Sequence, residues 1–77
     1  MTRQDLLHEL ETLLEMEQGS LTGKEKLADI PSWDSMQVLS YILLVQEKLN
    51  VVVEGQKVGE AVTVEDLVSL VSDKLAR

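Results

Sequence analysis

A chain of 77 residues has room for one small domain, able to bury only about 60% of the surface its unfolded form exposes, so a single core is the limit. With no cysteine and one histidine it lacks the donors for a disulfide framework or a thiolate zinc site, and no structural metal is expected. A formal net charge of −7 argues against nucleic acid, whose phosphates need a basic footprint. It favours basic partners, though acidity also keeps a small protein in solution.

Apolar residues make up 44% of the sequence with no Phe, one Trp and one Tyr, so leucine and valine must build the core. The longest unbroken apolar run is only Tyr41 to Val45, and Met1-Thr2-Arg3 leads straight into an amphipathic pattern. Neither a membrane span nor a secretory leader is expected, and the expected location is the cytoplasm.

In chain order, the spacing predicts a first helix over 2–16. Thr2 and Asp5 resemble a capping box, and Leu6, Leu7, Leu10, Leu13 and Leu14 form one apolar stripe. Glu9, Glu11, Glu15 and Glu17 read mainly as its solvated side, with His8 a surface residue beside the stripe. From Gln18 to Ser32 the periodicity fades into a long loop rich in turn formers, pinned by Leu21, Leu27 and Ile30. Gly19 and Gly23 make no phosphate-cradling motif, because no Gly-Lys-Ser/Thr follows them.

The second helix is predicted over 35–49, with Asp34 as its N-cap and Ser35 on its first turn. Leu39, Ile42, Val45 and Leu49 share a face at 100° per residue and should enter the core, which leaves Met36, Ser40, Leu43 and Glu47 on an adjacent stripe. Tyr41 and Leu44 also sit off the core face, so the helix is apolar nearly all round and implies burial against more than its own bundle. Asn50 ends it. Val51-Val52-Val53 reads as an extended connection and residues 56–60 as a short helix weakened by Gly55 and Gly59. A last helix is predicted over 63–76, opened by Thr63 and Asp66 as a second capping box, with Val64, Leu67, Val68, Val71 and Leu75 on one face and Lys74 and Arg77 suiting its negative end. The fold class is all-α: a small four-helix bundle with three main helices and a long first loop.

Ser35 is the residue that this layout singles out. The first N–H groups of a helix have no intrahelical acceptor and the macrodipole adds about half a positive charge, so a phosphate ester at that position is favoured. A nucleophilic role is not expected, because no sequence cue links the lone His8 to Ser35 as a base.

The triplet Asp34-Ser35-Met36 opens an apolar helix midway along a small acidic chain, with a helix and long loop before it and a short segment and final helix after it. In this it resembles the Asp-Ser-Leu/Met motif of acyl carrier proteins, over nearly the whole chain. The resemblance implies that Ser35 receives 4′-phosphopantetheine from coenzyme A through a phosphopantetheinyl transferase, whose Mg²⁺ Asp34 helps to hold. The arm's thiol would carry an acyl or aminoacyl group as a thioester. It further implies that Met36, Ser40, Leu43 and Glu47 dock the activating enzyme and the downstream synthases or transferases. The protein itself would be a monomeric, non-catalytic carrier serving fatty acid, polyketide or nonribosomal peptide chemistry.

Two departures from the family pattern narrow this expectation. The family's docking helix is studded with carboxylates, whereas here the matching positions are Gln37, Ser40, Gln46, Glu47 and Lys48; residues 1–30 instead hold seven acids against three bases. That favours recognition through apolar contacts and a specialised carrier. Trp33 before the Asp-Ser pair looks more like free-standing carriers of secondary metabolism, although a loop plug at the helix N-terminus explains it equally well. Ala61 stands where the family often has a larger aliphatic residue beside its cargo groove. The alternative reading is a non-covalent helical interaction module that docks partners through the same helix.

Overall fold

Thr2 opens the first helix as its spacing to Asp5 predicts. Its hydroxyl accepts from the Asp5 N–H at 3.1 Å, and the Asp5 carboxylate accepts from the Thr2 N–H at 3.0 Å. A computed structural model describes residues 1–76; Arg77, expected to suit the last helix's negative end, lies outside the described residues. Helix α1 spans Arg3–Leu13, shorter than the predicted 2–16. A Schellman motif stops it: the Met16 N–H reaches the Glu11 carbonyl at 2.7 Å and the Glu15 N–H the Thr12 carbonyl at 3.2 Å. Glu15 takes the left-handed position at φ 58°, where glycine is usual.

Leu6, Leu7, Leu10 and Leu14 are buried as the stripe predicts, each contributing roughly 1.5–3 kcal/mol. Glu11 contradicts its solvated assignment, being 0% exposed. The loop folds back over it, and Oε2 accepts from the backbone N–H groups of Gly19 and Leu21, both at 2.9 Å. Those amides sit eight and ten residues away, beyond the reach of helical periodicity.

Leu21, Leu27 and Ile30 are buried and pin the loop. Its middle is tied to the last helix: Glu65 N–H donates to the Gly23 carbonyl at 2.8 Å, Val64 N–H to Glu25 at 3.0 Å, and Leu27 N–H to Val62 at 2.8 Å. Arg3 bridges both sides, donating to the Thr22 carbonyl at 2.9 Å and pairing with Glu65. Gly23 turns there at φ 108°, a conformation side chains disfavour. A one-turn 3₁₀ segment, Leu27–Asp29, completes the crossing.

Helix α2 spans Ser35–Leu49 as predicted and ends on left-handed Asn50. Its inward face is rotated from the predicted one. Tyr41 and Val45 are fully buried and Val38 is half-buried against them, while Leu39, expected in the core, is 64% exposed. The rotation sinks the largest apolar side chain, and the Tyr41 hydroxyl donates to the Leu67 carbonyl at 2.5 Å. Burial pushes its phenol pKa up, which keeps it a donor.

Residues 51–53 run extended, with Val53 buried, into the short helix α3, Gly55–Gly59. Helix α4 spans Val64–Leu70 behind the predicted Thr63–Asp66 capping box. It does not continue to residue 76. Val71 leaves helical geometry at φ −125°, and a 3₁₀ turn, Ser72–Lys74, follows. Tyr41 meets this end of the helix, its hydroxyl donating to the Leu67 carbonyl, and the Val71 N–H turns to the Val68 carbonyl at 3.1 Å. The Ser72 hydroxyl donates back to Ser69 at 3.2 Å, the local competition expected of serine. Val71 stays buried and Leu75 half-buried, so the predicted apolar face survives the change of geometry. Among the described residues there is no strand, and no helix is long and apolar enough to cross a membrane.

Candidate functional site

The N-terminus of α2 is built by one short-range device. Asp34 is extended at φ −145°, and its Oδ1 accepts from the Gln37 N–H at 3.0 Å, satisfying the third amide of the helix. Ser35 is therefore held as the first helical residue, and it is exposed. Among the described residues no protein group accepts from the Ser35 or Met36 N–H. Helix α4 differs: the amides of Val64 and Glu65 are taken by loop carbonyls and that of Asp66 by the Thr63 hydroxyl. One end of the bundle thus presents an exposed hydroxyl beside two free amides at the positive end of a fifteen-residue helix.

Trp33 precedes this turn, half-buried against the core, with its N–H donating to the Ile30 carbonyl at 3.1 Å. That contact fixes the approach to Asp34. His8 lies on α1 with its Nε2 3.0 Å from Gln4 Nε2 one turn back, a partner on its own helix. No group of three or more His, Asp or Glu residues among the described ones could hold a metal ion.

Met36 is 69% exposed and Leu43 63%, so both stand on the outward surface that their stripe predicts. Ser40 is half-buried and spends its hydroxyl on the Met36 carbonyl at 3.1 Å, while Glu47 is exposed at the far end. Ser40, Leu43 and Glu47 also form one wall of a shallow cleft of about 520 Å³, with Glu9, Thr12 and Leu13 of α1 opposite. Met36 lies outside that cleft.

On the outward stripe of α2 the residue that the sequence misplaced is Leu39. At 64% exposure it fills the gap between Met36 and Leu43, so the three make a continuous apolar stripe starting one residue from Ser35. Its spacing of three from Met36 and four from Leu43 was legible, but the same spacing also fits a core face. Apart from Asp34, the exposed charges on this helix are Glu47 and Lys48. No family model, curated protein or solved structure matches the chain.

Proposed function

We propose that this protein is a carrier: Ser35 Oγ is esterified with 4′-phosphopantetheine taken from coenzyme A, and acyl or aminoacyl intermediates are presented from that arm to partner enzymes. The observation that carries the reading is the place of Ser35, exposed on the first turn of a capped helix beside two amides with no protein acceptor. A phosphodiester anion at that hydroxyl meets the positive end of the helix and two free N–H donors, so the residues present fit the group. Asp34 holds the turn with Oδ1 and keeps Oδ2 free for the Mg²⁺ that a phosphopantetheinyl transferase brings. When bound, the group supplies a thiol that holds the cargo as a thioester.

Met36, Leu39 and Leu43 offer the partner apolar surface and Ser40 and Glu47 its polar border. With so few charges on the helix, recognition depends on burial more than on ion pairing, so it is less sensitive to salt. Tethering raises the cargo's local concentration at each enzyme without demanding tight docking. The setting we favour is a monomeric cytoplasmic carrier of secondary metabolism or specialised lipid synthesis.

The test is the intact mass of the protein and of Ser35→Ala after incubation with coenzyme A, Mg²⁺ and a broad-specificity transferase. A single phosphopantetheine adduct, lost in the variant, is expected. A folded protein that stayed unmodified, even with transferases from its own source, would refute the proposal. The exposed stripe would then favour the second reading, a non-covalent module that docks a partner through Met36, Leu39 and Leu43.

A further inference from the structure

The shallow cleft of about 520 Å³ between α1 and α2 has a lining of mixed chemistry. The Ser32 hydroxyl donates to the Leu14 carbonyl at 3.1 Å, tying the start of α2 to the end of α1, so the two helices run antiparallel along it. Leu13 of α1 and Leu43 and Leu44 of α2 give it apolar walls, while Glu9 and Glu47 bring two carboxylates to the end farther from Ser35. Glu9 is half-buried, yet neither carboxylate meets a cation: the ion pair among the described residues is Arg3 with Glu65, elsewhere. A carboxylate drawn part-way out of water gains from a cation that shares its surroundings.

Leu43 also belongs to the apolar stripe with Met36 and Leu39, so cleft and stripe form one continuous surface. At 100° per residue, Gln37, Ser40, Leu44 and Glu47 lie about 120–200° round α2 from Ser35. A group held by Ser35 starts on another face, so the occupant that fits the cleft comes from a separate molecule. Its chemistry follows from the lining: an aliphatic stem to lie along the leucines, and a cation able to donate to two carboxylates at once. Arginine has both, whereas the lysine ammonium is a compact, strongly hydrated point charge. We infer that the cleft between α1 and α2 is the docking site for an arginine side chain of a partner protein, seated with an apolar neighbour on Leu43 and its guanidinium between Glu9 and Glu47. Ser35 takes no part, so this site is independent of whether Ser35 is modified.

The probe is N-acetyl-leucyl-arginine amide, titrated into the full chain while backbone amide shifts are followed by NMR. The same dipeptide with citrulline is the control, because it keeps the shape of arginine and loses the charge. Saturable shifts are expected at Leu13, Ser40, Leu43 and Leu44, with the citrulline dipeptide binding several-fold more weakly. Glu9→Gln and Glu47→Gln should each weaken the arginine dipeptide several-fold. Glu17→Gln, at an exposed acid outside the cleft, and Ser35→Ala should leave it unchanged. Melting curves confirm that the variants are folded, and if one of the two cleft variants is not, the other decides.

Equal binding of the two dipeptides, shifts centred on other residues, or no shift up to the solubility of the arginine dipeptide would overturn the inference. So would a folded Glu9→Gln variant that binds as the parent does. The intact mass after reaction with coenzyme A reports on Ser35 separately, and a missing adduct there overturns the carrier reading alone.

Discussion

Replacing Glu11 separates an acceptor that shapes the loop from an acid that merely sits on a helix. Its Oε2 accepts from Gly19 and Leu21, and its Oε1 is buried with no partner. Glu11→Ala removes the acceptor from both amides. Gly19 is exposed and regains water, whereas Leu21 is buried, and a buried unpaired N–H costs about 1–3 kcal/mol. The cavity left by the side chain adds roughly 1 kcal/mol more. A total near 2–4 kcal/mol is a large share of the roughly 4–12 kcal/mol typical at this length. Glu11→Gln keeps a carbonyl oxygen for both amides but sets its NH2 where Oε1 is buried without a partner, so its loss should fall between those of the parent and the alanine variant. Urea unfolding followed by far-UV circular dichroism measures both variants; at a slope of roughly 1–2 kcal/mol/M the alanine midpoint should fall by about 1–4 M. An alanine variant within about 0.5 kcal/mol of the parent would refute the latch. A glutamine variant as damaged as alanine would show that one carbonyl acceptor does not suffice to hold the loop.

Two further outcomes follow from local geometry. Glu15→Gly should stabilise by about 1 kcal/mol in the same assay, because a non-glycine residue in the left-handed region stores about that much; a loss would show that Glu15 contributes something its backbone does not reveal. Backbone N–H donation from Val62 and Thr63 holds the Asp66 carboxyl below its ordinary pKa, and Thr2 does the same for Asp5. A lowered folded-state value means that this stabilisation is complete above the unfolded carboxylate range near pH 4 and is lost as pH falls through the folded value. Melting temperatures should therefore be flat from about pH 7 to 5 and fall below about pH 4. Asp66→Asn should fall less steeply, and an unchanged acid slope would discount the cap.

What the sequence made legible was local. Both capping boxes, the Asp34 cap and the start and end of α2 depend on neighbours within four residues, and the structure places them as expected. Ser35 inherits its position from that short-range chemistry. The inward face of α2 was not legible, because a helix apolar nearly all round fits Leu39 or Tyr41 into the core with equal periodicity. The choice was made by a tyrosine hydroxyl finding a carbonyl 26 residues later. Glu11 was misassigned for the same reason: the amides it serves lie on another segment.

The ties between the crossing loop and α4 have a further consequence for how the molecule breathes. Leu27, Val64 and Glu65 exchange backbone hydrogen bonds across the seam, and Arg3 clasps Glu65 from 62 residues away. Helix α4 is only seven residues long, too short to hold its shape without tertiary support. Helix α4 therefore leans on the crossing loop for its support, through contacts distant in sequence. Ser35, whose turn is closed by the Asp34 cap, shares none of those ties, so a change at the start of α2 leaves the seam between loop and α4 in place.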